Sequence, residues 1–369
     1  MQEKKRYTIG MFDIAKGIGI LLVVFFHCLS IPAFQARLAV LNSSWIFGAV
    51  GALVAAVGCA LMPGFLAISG FGIRKRPVGQ CIRSQAKYLL LPYLVTTVMT
   101  TGVHFATHYL AFRDLRGAFT ETVKVALSFL LMLPRPGEFF GLSLFTCGPN
   151  WFLAALFWAI VILNILMNIV PPKYLCASVL AVSVIGWFIG RGTVIPFCIS
   201  QGMIAVLYVY IGYIVKKKKL LLADHLGWKW YAAFVLSAFV SIILPMMRGD
   251  VTPNMAESTW PFGWLSVLGI GVLGIVVLFL ALSLNAVHNR VTRGLRAVGQ
   301  DSLLILCIHT AEMTAIPWYL LQEKLRDRWA LCIGLTFVFR IALIVAVLFL
   351  VKRILRYVRE RRMTGGSAV

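Results

Sequence analysis

The stretch Phe12–Ser30, FDIAKGIGILLVVFFHCLS, decides the fold, because it is an apolar helix of bilayer length that carries one cation and one imidazole. Lys16 and His27 are eleven residues apart. At about 100° per residue that spacing is three turns plus about 20°, so both side chains lie on one face with a rise of about 16 Å between them. With Lys16 snorkelling at a membrane surface, His27 falls near the middle of a hydrocarbon layer about 30 Å thick. A polar ring at that depth points to function. The plain alternative is a neutral imidazole bonded to a neighbouring helix. Asp13 lies within about 60° of the same face, and its plain role is to offset the positive end of the helix dipole.

The rest of the composition agrees with a membrane setting. Of 369 residues, 60% are hydrophobic and 13% charged, where soluble domains carry about 25% charge. The formal charge of +22 does not signal nucleic acid, because the basic residues fall between long apolar runs and form no platform interleaved with aromatics. The eight cysteines form no CxxC pair or Cys/His cluster, so packed free thiols are expected and no metal. Met1–Arg6 and the first run lack a small-x-small cleavage site, so the segment is expected to remain as the first span.

Apolar runs near 14–33, 46–73, 87–110, 150–170, 174–190, 197–215, 229–247, 263–287, 302–321 and 330–351 predict an all-α integral membrane protein of about ten transmembrane helices. The segment 118–148 is apolar but short and bounded by charge and proline, and is read as a re-entrant or interfacial hairpin whose backbone other helices must cover. Ten spans put both termini in the cytoplasm. That arrangement places 24 of the 35 Lys and Arg residues inside, among them Lys4, Lys5, Arg6 and Lys216–Lys219, and ten outside, with Arg340 alone within a span. One transmembrane domain is expected over 1–362, followed by a flexible tail at 363–369. The expected location is the cytoplasmic membrane, in multi-pass form.

Four groups stand out for chemistry. The first is Asp13, Lys16 and His27. The second is Arg74, Lys75, Arg76, Arg83 and Lys87, a patch suited to phosphates or to a positive-inside anchor. The third begins in GQDSLLILCIHTAEM at Gly299, where Asp301 or Ser302 can cap a helix, His309 reaches about 12 Å in, and Glu312 follows one turn later. Arg340, about 18 Å deep on the last span, is placed to pair with Glu312. The fourth is Gly148–Leu153, GPNWFL, in which Trp151 reads as an interfacial belt residue.

These elements resemble the acyltransferase-3 family of membrane acyltransferases, nearest to its fucose 4-O-acetylase-like branch. The resemblance is carried by FDIAKGIGILLVVFFH, FLAISGFGIRKR at 65–76, RSQAKYLLLPYL at 83–94, NWFLAALFW at 150–158 and GQDSLLILCIH at 299–309. It implies His27 as the catalytic histidine with Lys16 as its basic partner, and Arg83 and Lys87 at the donor entrance. The family often has Arg where this chain has Lys16, and Tyr where it has Leu306. The function implied is transfer of an acyl group, acetyl by preference, from acyl-CoA to a hydroxyl of an envelope glycan or lipid-linked sugar. Asp13, His309 and Glu312 would assist, and Lys16, Arg74, Arg76, Arg83 and Lys87 would grip the CoA phosphates. The alternative is a carrier for a small metabolite or acylated glycan, with His27, His309, Glu312 and Arg340 as a proton path.

Overall fold

The computed structural model describes residues 10–29, 45–220, 227–248, 252–325 and 327–365. Among the described residues the structure is all-helical apart from one small hairpin, with 80% helix in 13 helices. They are α1 Asp13–Leu29, α2 Trp45–Phe71, α3 Val78–Phe112, α4 Leu115–Leu130, α5 Trp151–Ile169, α6 Leu175–Gly190 and α7 Ile199–Lys217. There follow α8 Trp228–Met247, α9 Trp264–Ser283, α10 Arg290–Gln300, α11 Ser302–Ala315, α12 Trp318–Lys324 and α13 Trp329–Gly365. Lys4, Lys5, Arg6, Arg37 and the last four residues of the expected tail lie outside the described residues. The expected tail begins inside α13, which continues to Gly365.

Among the described residues seven helices are long and apolar enough to cross a bilayer, and α11 with α12 makes an eighth if that bent pair is one span. The other two runs counted from sequence are α1, with 17 described residues, and α6, with 16. The protein is thus a multi-pass membrane protein. Several boundaries differ from the hydropathy reading for local reasons. α3 starts nine residues early, at Val78, because Val78–Ala86 is helical although polar. Proline explains its irregular turn: Pro92 has no N–H to give Tyr88, and the helix widens into a π-turn at Ala86–Leu90. Pro245 does the same to α8 at Phe239–Ile243. The ninth hydropathy run is broken by Pro317, which forces Ile316 extended (φ −97°, ψ 128°) and bends α11 against α12 by 63°.

Helix ends gather at one pole of the bundle. Phe12 meets Phe71 edge to face at 5.0 Å, Lys216 lies 5.6 Å over the Phe71 ring, and Met11, Val215, Ile275 and Leu282 form a small core there. The same pole holds the 72–77 connection, whose Arg76 is bonded to Asn164 near the end of α5, and the Asp301–Lys352 ion pair. Of the two caps the sequence offers for α11, Asp301 or Ser302, Asp301 stands at the N-cap position but makes no side-chain cap bond and pairs with Lys352 instead.

The segment 118–148 has its own form. α4 lies along α3, with His104 bonded to Thr122 and the Tyr93 hydroxyl donating to Phe129 O at 2.7 Å. Residues 131–147 then turn through an antiparallel pair, β1 Gly137–Phe139 and β2 Leu142–Leu144. Cys147 N–H donates to Leu133 O (2.8 Å), Phe197 N–H to Leu131 O (2.7 Å), and Phe145 N–H to Ser128 Oγ (2.9 Å). Neighbouring elements thus satisfy its backbone, the condition a re-entrant segment must meet.

Candidate active site

α1 is held by close backbone approach. Gly17 backs onto Leu295 O of α10, and Gly299 of α10 backs onto Asp13 O, so a side chain at either position would strike main chain. Gly19 faces the Phe65 ring of α2. Gly17 and Gly19 are thus both spent on helix packing, and Ile20 is buried in the core. Asp13 is buried, accepts from Gln300 Nε2 (3.3 Å), and is paired with Lys16 at 2.7 Å. The role of Asp13 therefore includes positioning the Lys16 ammonium as well as facing the helix dipole.

Three turns along α1, His27 meets α11. Its Nδ1 is 2.8 Å from Val23 O and 3.2 Å from His309 Nε2. A carbonyl only accepts, so Nδ1 of His27 carries the hydrogen and the neutral ring has its basic lone pair on Nε2. The same reasoning orders the next ring. His309, fully buried, donates from Nδ1 to Glu312 Oε1 at 2.7 Å, which leaves its Nε2 as acceptor toward His27. Glu312, one turn past His309, is also buried. Its Oε2 accepts from Trp318 Nε1 at 2.7 Å, a contact made possible by the bend at Pro317. Arg340 on α13 brings Nε to 3.8 Å from Glu312 Oε2 and its guanidinium to 5.3 Å from the Trp318 ring. The His27, His309, Glu312 and Arg340 juxtaposition expected from helical depth is thus realised as one continuous chain of contacts.

The basic patch is placed differently. Arg74, Lys75, Arg76, Arg83 and Lys87 expose their side chains at the pole where α1 begins, on the 72–77 connection and the first turns of α3. The π-turn at Ala86–Leu90 falls between Arg83 and Leu91, so Lys87 leaves regular helical register with Arg83. α11 packs against both α1 and α3.

Two arrangements were not legible in the sequence. Asn164 holds the main chain of Arg76 like a strand partner, accepting its N–H (3.0 Å) and donating to its O (3.0 Å), and Asn168 donates to that same oxygen at 2.9 Å. Asparagines four apart in an apolar helix were the available signal. In GPNWFL the buried residue of interest is Asn150, whose Oδ1 accepts from the Thr310 hydroxyl beside His309 at 3.2 Å. Trp151 is 9% exposed and packs in the core, so it is no belt residue. At the opposite pole, Arg135, Glu138, Phe139 and Thr193 line an open cleft of about 610 Å³. All eight cysteines are free, and no metal-binding cluster occurs among the described residues.

Comparison with known proteins adds one finding. The sequence model of the acyltransferase-3 family, described as an acyltransferase domain, matches residues 9–351. No curated protein and no solved structure matches the chain.

Proposed function

The chain belongs to the acyltransferase-3 family, and on that premise we propose that it moves an acetyl group from cytoplasmic acetyl-CoA to a hydroxyl of an envelope glycan or lipid-linked sugar, as in the fucose 4-O-acetylase-like branch. That it is a membrane acyltransferase follows from the family; the donor, the acyl group and the acceptor are our reading. In it the chain forms one transmembrane domain of ten spans in the cytoplasmic membrane, α1 and α6 included, with both termini inside.

The observation that carries the reading is the His27–His309–Glu312 chain of contacts. His27 Nε2 takes the proton of the acceptor hydroxyl as its oxygen attacks the thioester carbonyl. The C–O bond forms, the C–S bond breaks, and the departing thiolate takes that proton from His27 and leaves as free CoA. While His27 is an imidazolium, its Nδ1–H is held by Val23 O and His309 Nε2, and the Glu312 carboxylate behind His309 offsets the charge. An acyl-histidine route is the variant in which the same nitrogen attacks the thioester first.

The donor reaches this point from the basic pole. Arg74, Arg76, Arg83 and Lys87 would grip its phosphates, with Lys16, held by Asp13, at the mouth. A pantetheine arm on the order of 15–20 Å matches the rise of about 16 Å from Lys16 to His27. The acceptor comes from the opposite pole, where the cleft at Arg135 and Thr193 opens. The deciding experiment incubates membranes containing the chain with radiolabelled acetyl-CoA. Label entering a glycan fraction supports the reading, and label that never leaves acetyl-CoA sinks it.

A further inference from the structure

Arg340 is a buried cation with hydrogen-bonding capacity left over. It is 3% exposed, yet Nε and Nη1 have no hydrogen-bond partner. Its neighbour Glu312 does not use them. That carboxylate is already taken by His309 Nδ1 and Trp318 Nε1, each at 2.7 Å, and the 3.8 Å to Arg340 Nε is too long for a hydrogen bond. Buried donors left unpaired are costly, and guanidinium donors more so, because their charge has been removed from water as well. Where native structures keep such groups, a ligand, an ion or a water completes them.

The position says which ligand. α13 packs against α1, with Phe337 edge to face on Phe25 at 5.6 Å, and Arg340 follows Phe337 by one turn. The Glu312 carboxylate that Arg340 faces at 3.8 Å is bonded to His309, which meets His27 at 3.2 Å. A guest bearing a permanent negative charge would meet Glu312 as well as Arg340, and the carboxylate would repel it. A neutral carbonyl oxygen that gains charge only as the reaction proceeds avoids that repulsion in its ground state and uses the donors most at the transition state.

We propose that the Arg340 guanidinium, through Nε and Nη1, holds the carbonyl oxygen of the acyl group beside His27 and stabilises the oxyanion formed when the acceptor hydroxyl attacks. This makes Arg340 a catalytic residue and rests on the acyl-transfer reading above. The oxyanion collapses as the C–S bond breaks, and the carbonyl of the ester product, neutral again, departs from the still-charged guanidinium.

The test compares wild type with Arg340→Lys, purified in nanodiscs, with radiolabelled acetyl-CoA and a membrane glycolipid extract as acceptor. Lysine keeps the charge opposite Glu312 but has no planar fork. The expected result is a kcat lower by about 10²–10³-fold, with KM for either substrate nearly unchanged. Wild-type kcat in Arg340→Lys would reduce Arg340 to a counter-charge, and a raised acceptor KM with kcat kept would assign it to acceptor binding; either overturns the proposal. A second readout needs no turnover. In a His27→Ala background, bound acetyl-CoA labelled with ¹³C at the carbonyl should show its infrared band at lower frequency than in solution, and Arg340→Lys, or Arg340→Met should lysine not fold, should abolish that shift. An unchanged shift overturns the proposal. A wild type that transfers no label and shows no bound carbonyl band fails the acetyl-CoA reading itself, and this proposal with it.

Discussion

His27 and His309 are 282 residues apart in the chain, and their ring nitrogens meet at 3.2 Å. Replacing His27 by Ala removes the ring whose Nδ1–H, held at Val23 O, puts its basic lone pair on Nε2. Acyl transfer should fall by about 10²–10⁴-fold, the usual worth of a general base, while the folded protein survives. Counting label bound to protein after acid quench, without acceptor, separates the two routes. Label on wild type and none on His27→Ala identifies an acyl-histidine; none on either identifies a general base.

Glu312→Gln tests the support behind that pair. The carboxylate stands one ring away from His27, across His309, and two unit charges about 8 Å apart at an effective dielectric of about 20 interact by about 2 kcal/mol, roughly thirtyfold in rate. The loss should appear in kcat with donor KM unchanged, because the imidazolium exists only during turnover. A change confined to KM would place Glu312 in substrate binding instead.

The pattern of success in reading the sequence has a physical basis. Depth along a helix is set by rise per residue, so His27, His309, Glu312 and Arg340 were legible as a group once each span's direction was known. Lateral identity was not. Nothing in α1 alone says that Gly17 faces α10, since α10 is a polar, arginine-bearing helix that hydropathy passes over. The bend at Pro317 was visible as a proline, but its effect, turning Trp318 back onto Glu312, depends on where α12 packs. Trp151 misled because a tryptophan at a span's beginning suits the interface equally well; its burial reflects α5 starting among other helices.

Asn164→Ala should loosen the connection that carries Arg74, Lys75 and Arg76. It removes one acceptor and one donor from the Arg76 main chain and leaves the Arg76 N–H without its partner. A buried or half-buried group so orphaned costs about 1–3 kcal/mol, read as a lower melting temperature in detergent. Asn168→Ala should cost less, since Asn164 still serves the same oxygen. Equal effects would mean that the two amides do not share one task.

Arg83→Ala with Lys87→Ala should weaken CoA binding, and the loss should shrink as salt rises. Both side chains are exposed, and attraction between exposed charges is screened beyond about 8 Å at physiological ionic strength. Binding by titration calorimetry at low and high salt gives the comparison. Unchanged affinity at low salt would leave the pair as a topology anchor. Lys16→Arg should be tolerated, provided the longer guanidinium keeps Asp13 as its partner.

Span count is decided at α6, whose 16 residues give about 24 Å of helix against a hydrocarbon layer of about 30 Å. Its neighbours argue that it crosses all the same. Gly186 packs against Met203 and Ile204 of α7, Gly190 against Ser200, and Ser183 bonds Trp264 at the start of α9, while Cys176 at the other end contacts Tyr210. α6 therefore runs antiparallel to α7 over its whole length, and α7 is long enough to span. The exposed loops at its two ends, Lys173 and Thr193, should then lie on opposite sides of the membrane. In a variant lacking other accessible cysteines, Thr193→Cys should react with an impermeant thiol reagent added outside intact cells, whereas Lys173→Cys and Lys218→Cys should react only after permeabilisation. Outside labelling of Lys218→Cys would overturn ten spans with both termini inside. Labelling of Lys173→Cys and Thr193→Cys on the same side would make α6 a surface helix and leave the count odd.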